Sequence, residues 1–493
     1  MKKKLCSILC FFTITFTATA LDVNTSELED VSNLNSQIEF ENYGGPYAVI
    51  ESASSILNIG TELGRVVAED VLTSVTVKPE GKYTLIHAIS EENKQKFSGD
   101  ILILNEDAGV DHIKNLRRIL TGYLMASYGY SQTDAETLSV FITIYNAVYR
   151  GQINFFTEKF NDLVSQNLLE QKVGLSTYWE DWPGKTQIVI PLGYVENALS
   201  SVDTTEISDE NVIEALEGED DKGIDVREQL TELKEREMEE AQKNAQEAQK
   251  NAAEERKAGN TEQAQKEAAK SAEQQNLADK KREEVKSDKA QIAKDKENIV
   301  EKPEVKKLTG LFVADEKKGF YKLLSVNALT GEVLVKSPVN QIRNTSIYTV
   351  QNVTLTTEDE GTVNYPELFI AVCGTNNKKS AVRLCLLDTE KLELKKQSAE
   401  ILSEKTELIN YGENFYTVIK DGKSFYLAIY DKNLNINEIL LENVKKYKQY
   451  KELLDYNQNE LNSLSYNEAI KSDKRTFYQY YCSLLRVKHL LFF

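Results

Sequence analysis

The stretch from Val226 to Val300 contains no proline and a single glycine, Gly259, and is built mainly from Ala, Glu, Lys and Gln. Residues of that kind favour long helix, and a strip of alanines says how the helix packs. Ala241, Ala245, Ala248 and Ala252 are spaced 4, 3 and 4 residues apart, a heptad seam. Alanine lets helices approach closely but buries little area per residue. Ala258-Gly259-Asn260-Thr261 interrupts the seam; Gly and Asn suit a helix C-terminus, and Thr261 suits the next N-cap. The expected structure is two helices, about 227–258 and 261–299, folded as an antiparallel hairpin roughly 45–60 Å long at 1.5 Å per residue. A single continuous helix tolerating Gly259 is the alternative, and Pro303 closes the segment.

The rest of the chain divides around this spacer. Residues 22–200 mix apolar runs suited to buried strands (83–89, 101–104 and 187–191, the last ended by Pro191) with helical stripes at 49–68, 113–128, 132–149 and 154–169. Ser131 with Asp134 resembles a capping box ahead of the third helix. This part is expected to be an α/β head. Residues 201–225 belong to an acidic stretch that repels itself, so a solvated linker is favoured over a calcium site, whose ligand spacing it lacks. Residues 305–440 turn β-like. Three pieces, 320–333, 383–392 and 425–434, each run from an apolar strand through an Asp- or Asn-containing turn into another strand, as in propeller blades. Three are too few for a closed propeller, which leaves a partial propeller or a small sandwich. Residues 441–493 form a basic, aromatic helical tail whose apolar end is expected to pack on the protein's own surface.

The N-terminus has the form of a secretory signal: Lys2, Lys3 and Lys4, an apolar run from Leu5 to Phe16, and Ala18-Thr19-Ala20 before a mature start at Leu21. The run is too short to span a bilayer, and an uncleaved N-terminal anchor is the alternative. Leu9 before Cys10 is too large for a usual lipobox. Cleavage leaves Cys373, Cys385 and Cys482, enough for one internal bridge at most. Cys373 and Cys385 either face each other across a hairpin or stay buried and reduced.

Chemistry is sparsely marked. A formal charge of −19, from 78 acidic against 59 basic residues, argues against nucleic acid. The 3 histidines, His87, His112 and His489, lie far apart, which disfavours a His-rich metal site or a histidine relay. Gly184-Lys185-Thr186 lacks the earlier glycine of a phosphate loop and precedes a strand, not a helix. No G-x-S-x-G or H-E-x-x-H occurs. The surface nominated for binding is Tyr178, Trp179 and Trp182, aromatics able to stack on a sugar or peptide, though such a cluster also suits the corner of a core. No catalytic residue, cofactor or metal is nominated.

Three runs, Asn115–Leu124, Ile142–Gly151 and Gly184–Leu192, resemble stretches of the spirochaetal 83/100 kDa antigen family, known from Borrelia and Treponema, and fall in the family's order. The order of parts is similar too: signal, globular head, charged helical middle, β-rich C-terminal part. The resemblance is strong over most of 35–200 and weak over 305–435. It implies an exported antigen, periplasmic or envelope-associated, with no established activity, cofactor or catalytic residue. The helical middle is shorter and richer in Ala and Gln than the Lys/Glu-rich repeats associated with the family, and the tail after Leu441 has no counterpart. The expectation is a multidomain α+β protein, non-enzymatic, with no transmembrane segment in the mature chain. It would bind an envelope protein or a peptidoglycan-associated component, or self-associate through 226–300. A cell-envelope hydrolase with its site in the head is the rival reading.

Overall fold

The computed structural model describes residues 38–69, 75–90, 95–193, 201–216, 222–297, 305–343, 347–358, 361–411 and 413–444. The signal segment with Cys6 and Cys10, the acidic run 217–221, Pro303, Cys482, His489 and the tail from Lys445 onward lie outside them; residues 441–444, expected to begin the helical tail, instead end a strand.

In the head, α1 (Ala53–Glu69) precedes three strands, β1 (Val75–Glu80), β2 (Tyr83–Ala88) and β3 (Ser98–Leu104). Helices α2 (Ile113–Tyr128), α3 (Gln132–Val148), α4 (Ile153–Lys159) and α5 (Asp162–Ser165) follow, then β4 (Thr186–Gly193), β5 (Ser201–Val202) and α6 (Glu210–Leu216). The five strands form one sheet in the order β1-β2-β3-β4-β5, antiparallel throughout. The stripe Leu116, Ile119, Leu120, Tyr123 and Leu124 of α2 is fully or almost fully buried in the head core. Ser131 caps α3, its hydroxyl accepting the Asp134 N–H at 3.2 Å.

Two helix faces meet unusually closely. A Cβ on Gly60 of α1 would stand 1.8 Å from the Ile119 carbonyl oxygen, and one on Gly122 of α2 would stand 2.1 Å from that of Leu57. The backbones touch because neither position carries a side chain.

Three local expectations are corrected. The helix expected over 154–169 is broken, because Phe160 is extended and Asn161 caps a new turn by accepting the Val164 N–H at 3.0 Å. The strand expected to stop at Pro191 continues to Gly193; Pro191 lies opposite Gly99, and its carbonyl accepts the Asp203 N–H at 2.9 Å. Residues 201–216 of the stretch expected as an acidic linker are folded onto the head. Val202, Ile207, Val212, Ala215 and Leu216 join the core, while most of the acids between them stay at or near the surface. Five apolar side chains among the acids are enough to anchor the segment once a core is there to receive them.

Helices α7 (Lys222–Ala258) and α8 (Thr261–Glu297), 37 residues each, run antiparallel. Lys234–Asp288, Glu237–Lys281 and Arg227–Asp295 pair across them at 2.9, 2.6 and 2.8 Å. The alanines at 241, 245, 248 and 252 are buried, with Ala264 and Ala278 buried on α8. Val226, Leu230 and Leu233 at the base belong to the head core. The reversal occurs at Gly259, φ +85°.

The remaining strands are β6 (Lys307–Asp315), β7 (Phe320–Asn327), β8 (Val333–Lys336), β9 (Tyr348–Thr357), β10 (Gly361–Cys373), β11 (Arg383–Asp388), β12 (Leu394–Gln397), β13 (Ile409–Tyr411), β14 (Asn414–Asp421), β15 (Ser424–Tyr430) and β16 (Ile436–Val444). They make three antiparallel meanders, ordered β6-β7-β8, β12-β11-β10-β9 and β13-β14-β15-β16. The three similar sequence pieces are the hairpins β7–β8, β11–β12 and β15–β16. Each turn is tied by its acid or amide accepting backbone N–H groups. Asn327 takes Leu329 and Thr330; Asp388 takes Glu390, Lys391, Leu392 and Glu393; Asp431 takes Asn433 and Asn435. The described residues thus form a mixed α+β structure, and among them no helix is long and apolar enough to cross a membrane.

Candidate functional site

Two places in the head contain titratable or aromatic residues singled out from the sequence. In the first, the register of β2 on β3 sets His87 opposite Asp100. His87 Nδ1 lies 2.5 Å from Asp100 Oδ1, and the hydroxyls of Tyr123 and Tyr128, both on α2, donate to Oδ2. Burial, reinforced by the Asp100 charge, raises both tyrosine hydroxyls well above their ordinary range. A carboxylate among three such partners is well satisfied. His87, Asp100 and Tyr123 are at most 1 % exposed. A general base must reach the proton that it removes, and the His87–Asp100 pair is buried; what the cluster does is hold α2 on the sheet. The sequence marks Asp100 only as an acid beside an apolar run, Ile101-Leu102-Ile103-Leu104.

The second place contains the nominated aromatics, which the structure separates. Trp182 is fully buried, its Nε1–H donating to the Ser176 carbonyl at 2.7 Å, its ring edge-on to Phe40. It closes a corner of the core and leaves the surface nominated from sequence. Tyr178 is 39 % exposed. Trp179 lies edge-on to Tyr43, and Lys379, from the loop between β10 and β11, sets its ammonium 3.4 Å from the Trp179 ring centre. That ammonium also pairs with the buried Asp111 at 3.1 Å. Burial raises the Asp111 carboxyl despite the nearby lysine, and burial pushes the Tyr43 hydroxyl up to about 12.

These contacts belong to a strap, residues 38–48, that crosses from the head to the β meanders. Tyr43 N–H donates to the Asp111 carbonyl at 2.8 Å, Ala48 N–H to that of Lys379 at 2.9 Å, and Tyr47 N–H to Gln397 Oε1 at 2.8 Å. Arg383 donates to the carbonyls of Tyr47 and Ala48 at 2.8 and 3.0 Å, and to those of Ser398 and Ala399 at 2.8 and 2.6 Å. Head and β region are therefore in direct contact, although the hairpin lies between them in sequence. Sequence could nominate Trp179 as an aromatic; nothing local pairs it with Tyr43 or Lys379.

The other candidates sit as follows. Gly184-Lys185-Thr186 leads into β4. His112 caps α2, Nδ1 accepting the Lys114 N–H at 3.1 Å, and burial together with Lys114, Arg118 and Arg117 lowers its imidazole to about 4. Cys373 and Cys385 are buried free thiols, placed diagonally because Ala371, not Cys373, stands opposite Cys385. Among the described residues no three His, Cys, Asp or Glu side chains are arranged to hold a metal.

No curated protein and no solved structure matches the chain. The model of the Borrelia P83/100 protein family matches residues 26–320 and 240–447. With the head, the helical hairpin and all three β meanders inside those matches, the chain belongs to the Borrelia P83/100 protein family.

Proposed function

We propose that the protein is an exported component of the spirochaetal envelope, periplasmic or envelope-associated, that acts by holding and binding other envelope components rather than by catalysis. The family supports a spirochaetal antigen. The observation that carries the rest is the construction of the hairpin. Its base is rooted in the head through Val226, Leu230 and Leu233, and Lys281 and Lys234 reach Thr204 and Ser208 there. Beyond Ala241 the seam is alanine, and the outward positions are mainly Glu, Lys, Gln and Asn, with Leu277 exposed among them. A firmly rooted, polar arm of about 55 Å suits attachment to a second component. Turnover of a small substrate would need an accessible reactive site, and the His87–Asp100 pair is buried. The three β meanders are read as a partial propeller or sandwich-like unit, a second surface for an envelope protein or peptidoglycan-associated component.

Fractionation of cells with mass spectrometry of the N-terminus tests export: the expected product starts at Leu21 and is found outside the cytoplasm. Crosslinking in intact cells tests the arm: full-length protein captures an envelope component, and a variant lacking 243–277 does not. A cytoplasmic chain with Met1 intact, equal capture by both proteins, or peptidoglycan hydrolysis by the purified chain overturns the reading.

A further inference from the structure

The β6–β8 sheet is apolar on both faces. Register sorts the faces: Leu308 and Phe312 of β6 stand opposite Val326 and Lys322 of β7, Leu324 stands opposite Lys336 of β8, and Val326 opposite Val333. The other face carries Leu311, Tyr321, Leu323 and Val335, which pack with Val339, Ile342 and Leu392. Among the described residues nothing covers the first face to that extent. Leu308 is 63 % exposed, Phe312 43 % and Val333 53 %, and Leu329 at the tip of the β7–β8 hairpin is 88 % exposed. A sheet with one solvated face ordinarily turns polar residues outward. The neighbouring β9–β10 hairpin does so, with Thr354 bonded to Asn364 and Thr356 to Thr362 on its exposed face. An apolar patch of this kind marks an interaction surface.

Its charge says what it meets. In a chain of net charge −19, this sheet and its turns carry Lys306, Lys307, Lys317, Lys318, Lys322 and Lys336 against Asp315, Glu316 and Glu332. Lys322 and Lys336 lie on the exposed face itself. Apolar side chains beside lysines are the chemistry of a protein resting on an anionic bilayer: the stems and apolar groups enter the acyl boundary while the ammonium groups meet phosphates. A second copy fits less well, because two such faces brought together oppose their own lysines. We propose that the outer face of the β6–β8 sheet docks on a bilayer of anionic phospholipid, with Leu329 inserting from the hairpin tip.

This deepens the envelope reading by naming a partner, and it rests on that reading only for the membrane met in the cell. The test is co-sedimentation of the full chain with vesicles of phosphatidylcholine containing phosphatidylglycerol, against vesicles of phosphatidylcholine alone. Binding is expected only with the anionic lipid, and it should weaken as salt is raised. The pair K322E/K336E should weaken it about tenfold or more, and L329D should weaken it with no change in melting temperature, since Leu329 packs on almost nothing. Absence of binding, or binding unchanged in both variants, overturns the proposal. So does a concentration-dependent dimer that Phe312→Ser abolishes, which would make a second copy the occupant. A cytoplasmic chain that still binds these vesicles would defeat the export reading and leave the surface standing.

Discussion

Asp100 is the residue on which the head most visibly depends. Its carboxylate gathers His87, Tyr123 and Tyr128, and of these His87 and Tyr123, like Asp100 itself, are almost wholly buried. Asp100→Asn keeps the shape but turns one acceptor into a donor facing donors. Urea unfolding should show a loss of about 2–4 kcal/mol, the scale of a broken buried network; a change below 0.5 kcal/mol, the ordinary range for a surface substitution, would show that the cluster is incidental. His112 supplies a pH-dependent term of defined sign. Its neutral imidazole accepts the Lys114 N–H, and its folded value is lowered to about 4 from the ordinary 6.5. The unfolded chain therefore takes the proton first, so stability is intact above about 6.5 and lost as pH falls toward 4. Buried Asp111 and Glu206 are shifted upward and act in the opposite sense, so the comparison must be with His112→Asn, which keeps a cap acceptor. Between pH 7.5 and 5.5 the parent should lose about 1 kcal/mol more than the variant, measured by urea unfolding at each pH.

At the scale of elements, two glycines and an aspartate do separable work. Gly259 reverses the hairpin at positive φ with nothing near the place of a Cβ. Gly259→Ala thus meets backbone strain alone, about 1 kcal/mol, seen as earlier loss of helix in a circular dichroism melt of the full chain; a later melt would argue for one continuous helix. Gly122 is different, because its missing side chain is what lets α2 touch α1. Gly122→Ala must push two backbones apart and should cost about 3 kcal/mol or more, beyond ordinary overpacking. Asp388 ties four N–H groups in the β11–β12 turn. Its replacement by alanine should cost about 2 kcal/mol, with amide hydrogen exchange accelerating first at residues 390–393.

For the whole molecule, the strap makes one body of parts that the sequence separates by the hairpin. Arg383 is its main fastening, with four carbonyls on one guanidinium. Arg383→Met should leave head and meanders folded but loosen the junction, so limited proteolysis near 48–52 should become severalfold faster. Far-UV circular dichroism should stay unchanged. Protection equal to the parent would place the holding force elsewhere, in Lys379, Trp179 and Asp111.

What the sequence by itself determined is what local spacing can encode. The alanine seam and Gly259 specify helices and the place where they reverse, because a 3.6-residue period and one permissive φ are properties of consecutive residues. The stripe of α2, the Ser131 cap and the three strand–turn–strand pieces are local in the same sense, and the family rests on contiguous runs. Tertiary structure decided the rest. Glu206 stands in an acidic stretch that should stay in water, yet it is buried because Lys159 and Tyr145, distant in sequence, meet its charge. Trp182 and Trp179 are three residues apart, yet one entered the core and the other met a lysine from the β region. Asp100 became the centre of a cluster only when α2 lay across β2 and β3. The physical reason is common to all three: the free energy of a buried charge or ring is set by the partners that surround it, and a sequence window does not contain them.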